Sequence, residues 1–267
     1  MLLEVLLAGQ MTWNIPLLIG LIFVLVGYLL ILNRFMRRNT LFKPFIYAFL
    51  GLSLIYLAIG SPLRAISHLS FITHMIQMSV LYFIIPPILL LSIPAEIYNK
   101  QMRLPVIHTI NKLFLSPIIA LYIFAVLFLI YHLPAILNVL SQHPPIHHGY
   151  IWLMFALSIR MWWPIVAPSP RQPHRLATKK RYASLSGMVL MPACILFILT
   201  AFIDDVQNPF HNQMALQLCI PGQSGMMNFL PIPSNSKYDQ IMAGTVMMGI
   251  HKMAILLTVR LGDSNVK

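Results

Sequence analysis

Residues 71–93 read F-I-T-H-M-I-Q-M-S-V-L-Y-F-I-I-P-P-I-L-L-L-S-I, a stretch without one Asp, Glu, Lys or Arg. An apolar run of about 20 residues crosses the hydrocarbon core of a bilayer as a helix. Outward from this stretch, comparable runs occupy Ile15 to Leu32, Phe45 to Ile59, Ser116 to Leu140, His148 to Val166, Ser184 to Ile203 and Ile241 to Val259. With Phe71 to Ile93 they make seven expected spans. In lipid every backbone N–H and C=O needs an internal partner, which helices supply and open strands do not, and no alternating strand pattern suggests a barrel. The expected fold class is therefore all-α, a polytopic membrane bundle of seven transmembrane helices forming one domain over residues 1–267. Composition agrees, with 58% hydrophobic and 9% charged residues against about a quarter charged in soluble domains.

The charged residues set the expected orientation. Arg34, Arg37, Arg38 and Lys43 fill the first connector, Lys100, Arg103 and Lys112 the third, and Arg171, Arg175, Lys179, Lys180 and Arg181 the fifth. The second holds only Arg64, the fourth (Ser141 to Gly149) has no Lys or Arg, and the sixth carries Asp204, Asp205 and Asp239 against Lys237. Under the positive-inside rule the N-terminus lies outside and the C-terminus in the cytoplasm. The same rule accounts for the formal charge of +12, so no nucleic-acid partner is expected. The segment before the first run contains Glu4 and no basic residue, unlike a cleavable signal, so that run reads as a retained span. Cys194 and Cys219 are far apart and imply neither a disulfide framework nor a zinc knuckle.

Placed on this topology, His68, His74, His132, His143, His147, His148 and His211 fall at the external side, whereas His108 and His174 are cytoplasmic and His251 is deep in the last span. Sulfur groups accompany them: Met75 and Met78 near His74, Met214 near His211, and Met226, Met227 and Cys219 in the sixth connector. Imidazole with soft sulfur suits Cu(I), while calcium and magnesium prefer carboxylates. His74 and Met78, four residues apart, share one helix face and could meet one ion. A Met is also an adaptable packing residue, and this chain has 17. His143, His147 and His148 flank Pro144 and Pro145 in what reads as an exposed turn, where solvated imidazoles are the ordinary case.

Absences narrow the function further. The acidic residues Glu4, Glu96, Asp204, Asp205, Asp239 and Asp263 lie at span ends or beyond, leaving no interior carboxylate for a proton relay or a retinal counter-ion. Lys252 and Arg160 read as side chains snorkelling towards the cytoplasmic interface. No nucleophile with a base, glycine-rich phosphate loop or HExxH helix occurs, so enzymatic activity is not expected. Pro86 and Pro87 within the third span free backbone carbonyls and bend the helix, opening space between spans.

Several segments carry a family resemblance. T-H-M-I-Q-M-S-V-L-Y-F-I-I-P-P-I-L-L-L-S-I-P-A from Thr73, Y-H-L-P from Tyr131, H-H-G-Y-I-W from His147, M-W-W-P-I-V from Met161 and D-Q-I-M-A-G from Asp239 together resemble the CtaG-type cytochrome c oxidase assembly factors. The resemblance implies a multi-pass protein of the bacterial plasma membrane, a non-enzymatic factor serving cytochrome c oxidase subunits. It further implies handling of copper at the external face, where same-face spacing and outward topology give His74, Met78 and His132 as candidate ligands, with His147 or His148 completing the set. The family has a second His where this chain has Met78, a change favouring Cu(I) over Zn or Cu(II). Two alternatives stand beside this. One is a haem protein ligated by His74 with His132 or His251; the other is a copper permease recruiting Met191, Met242, Met247 and Met248.

Overall fold

A computed structural model describes residues 13–36, 40–61, 71–94, 96–97, 116–133, 136, 139–140, 142–166, 175–202 and 236–264. Among them are seven helices and no strand, as the apolar runs require. They are α1 (Ile15–Phe35), α2 (Phe42–Ile55, continued by a π-helical turn Tyr56–Gly60), α3 (Phe71–Ser79, a π-helical turn Val80–Ile84, then Ile85–Leu91), α4 (Pro117–Tyr131), α5 (Pro144–Val166), α6 (Arg175–Thr200) and α7 (Ser236–Ser264). Five, namely α1, α2, α3, α5 and α7, are long and apolar enough to cross a membrane, and α4 is a shorter apolar helix. The protein is a membrane protein. The connectors carrying Arg37, Arg38, Arg64, Lys100, Arg103, Lys112, Arg171, Asp204 and Asp205, and with them His68, His108, His174, His211, Met214, Cys219, Met226 and Met227, lie outside the described residues.

Helix α3 is the axis of the bundle. It packs on α7 through its first half and on α2 and α5 through its second; α4 joins α5 and α6, and α6 packs along α7. The apolar stretch of α3 is 61% buried inside the protein, that of α1 only 6%. A helix apolar all round with little protein contact presents its side chains to lipid. α1 is held at its ends instead: Asn14 caps it through Leu17 N–H and donates its own N–H to Gly60 O at 2.9 Å, and Tyr28 Oη donates to Ser92 O below α3.

The two prolines of α3 are accommodated by specific partners. Proline at 86 removes the N–H that would bond the carbonyl four residues earlier, that of Tyr82. Ser158 Oγ and Trp162 Nε1, one turn apart on α5, donate to that same oxygen, the indole at 3.0 Å. The extra residue is absorbed as a π-helical turn, closed by Ile85 N–H to Val80 O. The expected disruption at Pro86 and Pro87 is thus a bulge within a continuous helix. In α2, Ala58 O in the other π-helical turn accepts from Gln77 Nε2 of α3 at 2.5 Å.

Asp239 departs most from the sequence expectation. Read as part of an external connector, it lies in the first turn of α7, 5% exposed, and accepts from the N–H groups of Phe71 at 2.7 Å and Ile72 at 3.2 Å. The first N–H groups of a helix have no partner within it, and a carboxylate satisfies them with charge assistance. Five residues on, Gly244 lets α6 approach: a Cβ there would stand 2.9 Å from Ile198 and 3.0 Å from the carbonyl of Cys194. The aspartate and glycine of D-Q-I-M-A-G therefore dock α7 on α3 and α6 respectively. Asp239→Ala should cost about 0.5–2 kcal/mol of stability, the range for losing a side-chain helix cap, with Asp239→Asn intermediate; thermal unfolding in detergent measures the difference.

Candidate functional site

The start of α3, the end of α4 and the start of α5 converge at one end of the bundle. Each has a local cause. Asp239 fixes the first turn of α3, placing His74 one turn in. Tyr131 ends α4, and His132 is its C-cap at φ −89° and ψ 0°, with Pro134 following in the sequence. Pro144 and Pro145, residues suited to a first helical turn, open α5, so His147 and His148 are helical rather than in the exposed turn expected.

Tyr131 is the hub of the cluster. Its ring centroid stands 6.0 Å from that of His74 and 5.9 Å from that of His147, both stacked. His132 lies 5.0 Å away, edge-on, and Tyr150 stacks at 5.6 Å. The Tyr131 hydroxyl and His147 Nε2 are hydrogen-bonded at 3.0 Å. His132 Nδ1 is bonded to Phe128 O at 2.6 Å, which directs Nε2 away from the backbone, and its ring meets that of His74 edge-on at 6.4 Å.

Of the five ligand candidates, the structure gathers His74, His132 and His147 about Tyr131. Met78, 4% exposed, is buried one turn along α3 from His74, at 2%. His148 is exposed and reaches the group only by stacking on His147 at 6.3 Å. Among the described residues no group of three or more His, Cys, Asp or Glu side chains is disposed to hold a metal ion. Met78 is a described thioether that stands within one helical turn of His74 in this imidazole group. With metal–nitrogen bonds of about 2 Å, two imidazoles on one ion have centroids no more than about 6 Å apart. The His74 and His132 ring centroids, at 6.4 Å, lie slightly beyond that separation.

The two tyrosines of the cluster were not singled out in the sequence. Tyr131 and Tyr150 lay in plain view within Y-H-L-P and H-H-G-Y, but no spacing rule joins a residue on α4 to histidines on α3 and α5. His251 forms a separate group with Phe83 at 4.5 Å and Trp162 at 6.4 Å. Cys194 is buried and free.

The described residues form an all-helical membrane bundle with histidines, a methionine and tyrosines collected at one end. Residues 26–261 match the family model described as cytochrome c oxidase caa3 assembly factor (Caa3_CtaG). The chain belongs to the cytochrome c oxidase caa3 assembly factor family. No curated protein and no solved structure matches it.

The hub suggests its own test. Tyr131→Phe keeps the stacked rings and removes the bond to His147, so the fold should persist while His147 becomes more reactive. Diethylpyrocarbonate modification followed by peptide mass spectrometry should show faster labelling at His147, by several-fold, with His148 unchanged.

Proposed function

We propose that this protein binds Cu(I) transiently at the extracytoplasmic face of the bacterial plasma membrane and supplies it to a subunit of cytochrome c oxidase during assembly. The observation that carries the reading is the convergence of His74, His132 and His147 on Tyr131, with the Met78 thioether one turn below His74. Imidazole and thioether stabilise the soft monovalent ion, and the absence of carboxylates from the group disfavours hard cations. His148, exposed and stacked on His147, is the natural point of entry and release.

Orientation supports the outward placement. Arg34 at the end of α1, Lys43 at the start of α2, Arg160 near the end of α5, Lys179, Lys180 and Arg181 at the start of α6, and Arg260 near the end of α7 all lie at the end of the bundle remote from the cluster. Lys237 alone among the described basic residues is at the cluster end, over the Phe202 ring at 4.6 Å. Positive charge at one end marks the cytoplasmic side. The cluster then faces outward, with the N-terminus outside and the C-terminus inside.

Transfer requires moderate affinity, which suits ligands already held by internal partners: His147 must exchange its bond to Tyr131, or use its other nitrogen, to meet the ion. Purified protein loaded with Cu(I) and analysed for retained metal tests the site. His74→Ala and Met78→Ala should each weaken retention at least as much as loss of a residue that merely supports a ligand, roughly 10- to 100-fold. Unchanged retention in both variants would remove the proposed ligand set.

A further inference from the structure

The contact between Asp239 and Phe71 sets α3 and α7 side by side, both running away from the cluster, and the register then persists. Twelve residues beyond Phe71 is Phe83; twelve beyond Asp239 is His251, and their rings are 4.5 Å apart. Intermediate positions can be placed on the same scale. His74 is three residues into α3, Met78 seven and Phe83 twelve, while on α7 Met247 is eight residues from Asp239 and His251 twelve. At about 1.5 Å per residue, the level of His251 is about 13 Å deeper than that of His74, with Met78 and Met247 at nearly one depth between them. All four side chains are buried, at 2%, 4%, 1% and 3% exposure for His74, Met78, Met247 and His251.

His251 is costly where it stands. Its Nε2 is buried and has no hydrogen-bond partner, with the rings of Phe83 and Trp162 against the imidazole. An unmatched polar atom in an apolar interior is destabilising, and a phenylalanine would fill a comparable volume without it. Met247 lies four residues before His251 and so on the same face of α7, repeating the spacing of His74 and Met78. The rings against His251 bring no carboxylate for a hard cation, whereas imidazole with thioether suits a soft monovalent one.

We propose that His251 and Met247 form a second, interior Cu(I) position, one imidazole and one thioether, beneath the outer cluster. This rests on the reading of the outer cluster as a copper site only for the choice of ion. The bundle then holds two copper positions, stacked along the α3–α7 interface, and the inner one serves as a protected store that refills the outer.

The test uses the full chain in detergent, loaded anaerobically with Cu(I) and equilibrated with bicinchoninate as competitor. Wild type should retain two equivalents, His251→Phe one, His74→Ala one, and the double variant none. Phe preserves the ring beside Phe83 and Trp162, and gel filtration with a thermal melt confirms that His251→Phe is folded. In the His74→Ala background, copper X-ray absorption should show nitrogen and sulfur neighbours, and Met247→Leu should remove the sulfur. One equivalent in wild type, lost in His74→Ala and untouched in His251→Phe, would overturn the inner position and leave the outer standing. Loss in His251→Phe with none in His74→Ala would do the reverse, and a wild type that retains no copper would overturn both.

Discussion

Everything at the candidate site depends on how the first turn of α3 is held. Its leading N–H groups have no partner within the helix, and in a membrane bundle water is not at hand to replace one. Asp239 of α7 takes two of them, at 2.7 and 3.2 Å. That single carboxylate fixes the height and rotation at which α3 begins, and hence where His74 and Met78 stand relative to α4. It also aligns α3 with α7 over the next three turns, bringing His251 to Phe83.

The second constraint comes from the proline pair. A rigid donorless segment in the most buried helix would strand carbonyl groups, and the bundle answers with side chains: Ser158 and Trp162 at Tyr82 O, and a π-helical turn that takes up the surplus residue. Such turns are frequent at functional sites because they redirect side chains within a continuous helix. Here the turn separates the face carrying His74 and Met78 from the face below it, so the two halves of α3 meet different neighbours. M-W-W-P thus contributes a hydrogen-bond donor to another helix, a role its aromatic composition alone does not announce.

Each of the seven apolar runs overlaps a described helix, and five of these helices are long and apolar enough to cross a membrane. Their ends were less legible in the sequence. His132 was placed inside a span reaching Leu140 but caps a helix that stops at Tyr131, and α5 begins at Pro144 rather than His148, because helix ends are decided by proline chemistry and not by hydropathy. The pairing of His74 with Met78 could be read from spacing within one helix. The central place of Tyr131 and the capping role of Asp239 could not, since each is a contact between helices far apart in sequence. The familial segments located these residues without explaining them.

The proposed copper handling would be read most directly in the client oxidase. The most direct measurement is the copper-to-haem ratio of cytochrome c oxidase purified from cells whose only copy of this protein carries His74→Ala, with the variant's membrane abundance matched to wild type. The account predicts an oxidase with normal haem and subunit content but substantially less than its full copper. An oxidase with full copper and full activity would contradict it.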